Sequence, residues 1–226
     1  MGRRVLVVAT HPDDDILSCG ATIARWVQEG RRVAVAFLTD GVGPRSDADP
    51  AASERPRAGA RVPAPILGTQ DPRSTAWPDN RPDHVPVLGW AEQLNCVAVR
   101  EPGQDRGLTH HADAVSIDHS PRRQAVGTRC LRQPGHPVRT VWSRVVPAST
   151  GSQFASSGLA VLPSTVVEVL GDLERKLEVL DTYQDEIRDR PHPHSRRDFG
   201  GLWCRRDRSI STADDVEPRD RPWRLR

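Results

Sequence analysis

Residues 3–9, Arg3-Arg4-Val5-Leu6-Val7-Val8-Ala9, form a nearly unbroken β-branched and aliphatic run. Such a run suits a strand covered on both faces, as in a parallel sheet. A parallel pair needs a crossover, and Ile16–Glu29 reads as one. Ile16, Leu17, Ile23, Ala24, Trp26 and Val27 lie roughly on one helical stripe, with Gly30 placed as the residue that ends it. Val33–Leu38 is a second buried strand that stops at the turn Thr39-Asp40-Gly41. Strand, helix and strand in this order make a βαβ unit, which predicts an α/β domain.

Later elements are shorter. A strand is expected near Gly107–His111, a helix over Ser120–Leu131 opening with Pro121, and a strand over Val138–Val146. Leu170, Leu173, Leu177, Leu180 and Ile187 recur at helical steps and predict a helix over Gly171–Ile187. Residues 44–105 read as loop-rich, with a hint of periodicity only at Val85–Leu94. The apolar pattern is lost beyond Pro191. The expected organisation is one domain over 1–195 and an irregular, Arg-rich tail over 196–226. A length of 226 residues suits one core of ordinary size.

Charge narrows the function classes. The 32 basic and 30 acidic residues leave a net charge of +2, which argues against nucleic acid or a membrane surface as partner. No apolar run approaches the ~20 residues of a membrane helix. Gly2-Arg3-Arg4 followed by so short an apolar run does not read as a secretory signal. Cys19, Cys96, Cys130 and Cys204 are widely spaced with no CxxC pair, so free thiols and a cytoplasmic location are expected. Glycine patterns for a dinucleotide or a P-loop site do not occur.

The chemistry concentrates in Thr10-His11-Pro12-Asp13-Asp14-Asp15, directly after the first strand and before the first helix. Ligands of open α/β sheets bind at the carboxyl ends of the strands. A histidine and three consecutive carboxylates there repel one another unless a cation neutralises them. His and carboxylate ligands suit Zn²⁺, and three protein ligands leave a position for water. The competing reading is that these acids merely cap the next helix and complement its dipole.

These residues, together with Phe37-Leu38-Thr39-Asp40-Gly41 and the later Thr109-His110-His111 to Asp118-His119, resemble the PIG-L/LmbE-like zinc-dependent N-deacetylases. Patches of similarity continue through Gln133-Pro134-Gly135-His136 and Pro147-Ala148-Ser149-Thr150 to His192-Pro193-His194. The resemblance implies a Rossmann-like, mainly parallel sheet with helices on both faces. It implies one Zn²⁺ per chain held by His11, Asp14 and His119, with Asp13 as general base. The implied substrate is a small molecule, an N-acetylglucosamine-type sugar amide. Asp15 is expected to serve the helix N-terminus or ligand orientation without binding metal. His110 and His111 lie close in sequence to this site, but a role behind the ligands is the minor reading for either.

Some positions depart from the family pattern. Ser116 stands three residues before the last ligand histidine, where the resemblance implies His or Asn. Two prolines interrupt Glu54-Arg55-Pro56-Arg57-Ala58-Gly59-Ala60-Arg61-Val62-Pro63, where the family carries a helix. A catalytically impaired metal- or sugar-binding relative is therefore the alternative. Cys19 reads as a packing residue, and the His192/His194 pair as solvated.

Overall fold

The N-terminal aliphatic run is buried on both sides, and the architecture follows from that. In strand β1 (Arg4–Ala9) every residue from Val5 to Ala9 is buried. Alternate side chains leave a strand on opposite faces. Val5, Val7 and Ala9 enter one hydrophobic core, and Leu6 and Val8 enter a second. Strand β2 (Arg32–Phe37) divides the same way, Val33, Val35 and Phe37 against Ala34 and Ala36. It pairs in parallel with β1, from Arg4 opposite Arg32 to Ala9 opposite Phe37.

The computed structural model describes residues 4–39, 63–70, 72–75, 77, 85–100, 102–111, 116–130, 137–146, 165–169, 171–183, 187, 189, 195 and 208–214, with backbone alone at 63, 98–100 and 208–214. Helix α1 (Asp14–Gln28) joins β1 to β2. It ends in a Schellman motif, in which Arg31 N–H bonds the Trp26 carbonyl and Gly30 N–H the Val27 carbonyl, each at 2.9 Å. Gly30 has φ +76° there, a conformation glycine adopts without a Cβ penalty. The remaining elements are α2 (Pro63–Leu67), β3 (Arg73–Ser74), α3 (Val87–Arg100), β4 (Arg106–His110), α4 (His119–Arg129), β5 (Thr140–Arg144), β6 (Thr165–Glu168), α5 (Leu173–Leu180) and β7 (Arg208–Asp214).

The sheet order is β3-β2-β1-β4-β5-β7-β6. The first five strands are parallel, and β7 runs antiparallel to both β5 and β6. Helices α1, α2 and α5 cover one face, through Ile23, Leu67, Val179 and Leu180 among others. Helices α3 and α4 cover the other, through Trp90, Leu94, Ala125 and Val126. This is the expected mainly parallel, Rossmann-like sheet with helices on both faces. After β3 the chain returns to the far side of β1 and enters β4. The strand order thus reverses between β1 and β4, and a crevice opens at their carboxyl ends. No helix among the described residues is long and apolar enough to cross a membrane.

Three expectations on secondary structure differ from what is observed. The stretch 44–105 holds α2, β3 and α3, and in α3 the side chains of Trp90 and Leu94 are fully buried. Burial of each such side chain stabilises the fold by about 1.5–3 kcal/mol. The tail 196–226 contributes β7, which lies between β5 and β6, so the sheet takes in residues beyond 195. The late helix is shorter than expected. It stops at Leu180, yet Tyr183 and Ile187 beyond it still pack into the core that α1 covers. The expectations for 40–62, 112–115, 131–136 and 192–194 fall outside the described residues.

Candidate metal centre

The crevice between β1 and β4 is lined by two loops. The first leaves β1 at Ala9. The Thr10 carbonyl is fixed by two donors from Thr39, its N–H at 3.1 Å and its hydroxyl at 2.8 Å. The chain then turns through His11, Pro12 and Asp13 into α1. Asp13 occupies the N-cap position, and its main-chain oxygen accepts from Ile16 N–H at 3.1 Å and Leu17 N–H at 3.0 Å. Its carboxylate makes no capping hydrogen bond. Asp14 turns its carboxylate away from the helix as well. Its Oδ2 accepts from the His11 N–H at 2.9 Å and faces the His11 ring. The helix-capping reading of these acids therefore fails for both side chains.

The second loop leads into α4. Ser116 Oγ accepts the Asp118 N–H at 3.2 Å. Arg122, one turn into the helix, donates from Nη1 to the Asp118 carbonyl at 2.8 Å and to Asp118 Oδ1 at 2.5 Å. The Arg122 guanidinium lies 4.3 Å over the Trp90 ring. Asp118 is fully buried, with its other oxygen, Oδ2, 3.2 Å from His11 Nε2. Burial pushes its pKa up, but the His11 hydrogen bond and Arg122 outweigh that and lower it to about 2.

The two loops bring three ligand atoms together. His11 Nδ1 is 3.1 Å from Asp14 Oδ2, His119 Nε2 is 3.3 Å from Asp14 Oδ2, and His119 Nε2 is 3.4 Å from His11 Nδ1. Donation from His11 Nε2–H to Asp118 leaves the Nδ1 lone pair facing inward. Lone pairs from two imidazoles and a carboxylate then converge on one point, which calls for a positive charge between them. Tetrahedral Zn²⁺ with bonds of about 2.0–2.1 Å would set its ligands roughly 3.3–3.4 Å apart, and the triangle matches. The residues present fit the ion. Burial would raise Asp14, but the His119, His11 and His110 rings that face it and the His11 hydrogen bond hold its carboxyl well below the usual range.

Buried groups back this triangle. The His110 ring stacks on the His119 ring, with centroids 3.9 Å apart and planes 14° from parallel. His110 Nε2 accepts the Thr10 N–H at 2.9 Å. Burial first, then the neighbouring His119 and Arg144, depress its pKa well below the ordinary imidazole value. Arg144, at the end of β5, is fully buried. It donates to the Asp14 carbonyl at 2.6 Å, to the Val8 carbonyl at 3.1 Å and to Ser18 Oγ. Burial pushes the Asp15 carboxyl up to about 7 against the pull of Arg144, and Asp15 Oδ1 has no hydrogen-bond partner. Tyr183 donates its hydroxyl to the Pro12 carbonyl at 2.9 Å. Lys176, the single lysine of the chain, reaches the Leu17 carbonyl at 2.9 Å.

All four residues expected to carry the chemistry lie on these two loops or at the first residue of the helix each one opens. His11, Asp14 and His119 form one cluster of possible ligands, and Asp13 adjoins it in the first loop. Sequence reasoning missed Asp118 as the partner of His11, Arg122 as its anchor, and Arg144 and Tyr183 as anchors of the first loop. Only Asp118 had a signal, its place beside a proposed ligand.

Known proteins resemble this chain. The family described as PIG-L, GlcNAc-PI de-N-acetylase, matches residues 6–129, more than half of the 226. A 1D-myo-inositol 2-acetamido-2-deoxy-alpha-D-glucopyranoside deacetylase of Tsukamurella paurometabola is 49% identical over 41 residues. That match spans 18% of this chain and 14% of the relative's length. Among solved structures, the A40926 pseudoaglycone deacetylase Dbv21 superposes with a TM-score of 0.74 at 21% identity, over 97% of this chain and 100% of that one. The N,N'-diacetylchitobiose deacetylase from Pyrococcus horikoshii gives a TM-score of 0.68 at 15% identity, over 95% and 84%. The 4-carboxy-2-hydroxymuconate hydratase GalB of Pseudomonas putida gives 0.61 at 17%, over 99% and 100%. These structural likenesses establish an LmbE-like fold, and the last shows that the fold hosts more than one reaction.

Proposed function

The chain belongs to the PIG-L family of GlcNAc-PI de-N-acetylases, and from that premise we propose that it is a zinc-dependent hydrolase removing an N-acetyl group from an N-acetylglucosamine-type sugar conjugate. The observation that carries this reading is the convergence of His11 Nδ1, Asp14 Oδ2 and His119 Nε2 within a triangle of zinc dimensions, with Asp13 lying in the chain between the first two. The Tsukamurella relative is a deacetylase of a 2-acetamido sugar and the Pyrococcus structure an N,N'-diacetylchitobiose deacetylase, which supports the substrate class.

Bound by His11, Asp14 and His119, one zinc ion would supply Lewis-acid chemistry, acidifying water and polarising a carbonyl. The residues of the chain do the rest. Asp118 accepts the His11 Nε2–H and so keeps Nδ1 as the free lone pair. Asp13, whose carboxylate is not spent on capping, accepts a proton from the attacking water. Water oxygen adds to the amide carbonyl carbon, and the carbon–nitrogen bond breaks. Asp13 returns the proton to the departing nitrogen, leaving acetate and a free amine. We place the protein in the cytoplasm, a reading supported by free thiols at Cys19, Cys96 and Cys130.

A second reading, a metal- or sugar-binding relative with impaired turnover, is favoured by Ser116. Its short side chain is engaged with the Asp118 N–H where the resemblance implies a longer donor. One experiment separates the two. Amine release from a panel of N-acetyl sugars is measured with and without a chelator, for the wild type and for Asp13→Ala. The deacetylase reading predicts release that chelation abolishes and zinc restores, and a loss of about 10²–10⁴ in Asp13→Ala. Equal rates for the variant and the wild type would contradict it. Stoichiometric metal without turnover on any sugar would select the second reading.

A further inference from the structure

His110 lies against the candidate centre without belonging to its ligand set. Its Nε2 is 3.5 Å from Asp14 Oδ2, near enough to raise the question of a fourth ligand. The hydrogen-bond pattern answers it. Nε2 receives the Thr10 N–H at 2.9 Å and has Arg144 Nη2 at 3.4 Å, so its lone pair is already in use. The proton must then reside on Nδ1, which is buried with no hydrogen-bond partner among the described residues. What His110 does offer the centre is its face, laid nearly parallel to the ring of His119. His119 needs such support. Its own Nδ1 is buried without a partner among the described residues, so none of them sets the rotation of the ring by a hydrogen bond to that atom. Ligand histidines are ordinarily oriented by a partner on the second nitrogen, as Asp118 orients His11 here.

We propose that His110 is a positioning residue, a flat plate that fixes the ring of His119 by stacking so that Nε2 faces Asp14 and His11. The two ligand histidines are then oriented by different physics, His11 by a carboxylate and His119 by an aromatic surface. The inference rests on the metal-centre reading above and adds to it the means by which the last ligand is held.

Two properties of His110 can be separated by substitution. His110→Phe keeps a flat ring and removes the Nε2 acceptor. It strands the Thr10 N–H but also deletes the unpaired Nδ1–H, so one unmet buried donor replaces another. His110→Gln keeps an acceptor for Thr10 and removes the ring. His110→Ala removes both. Zinc affinity is measured by competition with a chelating dye, and the visible absorption of the cobalt-loaded proteins reports coordination geometry. Thermal melting of the metal-free proteins provides a separate readout of stability. The stacking account predicts that His110→Phe retains zinc affinity to within about threefold, with a wild-type cobalt spectrum. It predicts that His110→Gln and His110→Ala lose about 10–100-fold and change the spectrum, whatever their melting temperatures. Wild-type affinity and spectrum in His110→Gln, or a His110→Phe as weak as His110→Ala, would overturn the stacking role and leave the metal centre standing. A wild type that binds neither metal would overturn the centre and the plate together.

Discussion

The loop after β1 and the loop that opens α4 face the same cluster, but they are held by opposite means. The first is pinned through its main chain by side chains from remote parts of the fold. Arg144 grips the Asp14 and Val8 carbonyls from β5, Tyr183 the Pro12 carbonyl from beyond α5, and Thr39 the Thr10 carbonyl from the end of β2. The second is pinned from within its own helix, where Arg122 holds both the carbonyl and the carboxylate of Asp118 four residues earlier. The geometry of the first loop therefore exists only once the sheet is complete. That of the second needs little more than one helical turn and the Trp90 ring beneath it. The difference teaches that a ligand motif and its support need not be encoded in the same stretch of chain.

Two substitutions sharpen this contrast. Asp118→Asn removes the charge that links the loops, and zinc affinity should fall by about 10–100-fold in a competition titration. An unchanged affinity would mean that His11 is oriented by the first loop alone. Tyr183→Phe strands the buried Pro12 carbonyl and should cost about 1–3 kcal/mol in denaturant melts. Zinc affinity should hold, because Arg144 and Thr39 still fix the loop. A tenfold loss of zinc affinity in this variant would show instead that one hydroxyl carries the loop.

The same contrast explains what was legible in the sequence. β1, α1 and β2 were readable because burial on both faces of a central strand demands continuous aliphatic residues, and His11 to Asp15 follow at once. Helix α3 was only hinted at. Its core face, Val87, Trp90, Ala91, Leu94 and Val97, does follow a helical period, but the exposed Leu88 and Cys96 and the Pro- and Arg-rich sequence before it blur the contrast. Strand β7, Arg208–Asp214, has an almost wholly polar sequence and earns its place by backbone pairing on two sides, which leaves no apolar pattern to read. The supports of the site share this limit. Thr10 and His110 lie 100 residues apart, and Tyr183 and Pro12 lie 171 apart. No local spacing announces such pairs. Ser116 shows the reverse case, a position the family pattern singles out and the structure places in the turn that carries Asp118 and His119.

The central claim is that His11, Asp14 and His119 hold one divalent cation while Asp13 stands beside it without binding. Zinc titration of the metal-free protein tests this most directly, run on the wild type, His119→Ala and Asp13→Ala side by side. The account predicts one tight equivalent in the wild type, its loss in His119→Ala, and its retention in Asp13→Ala. A His119→Ala protein that still takes up one tight equivalent, or an Asp13→Ala protein that takes up none, would contradict it.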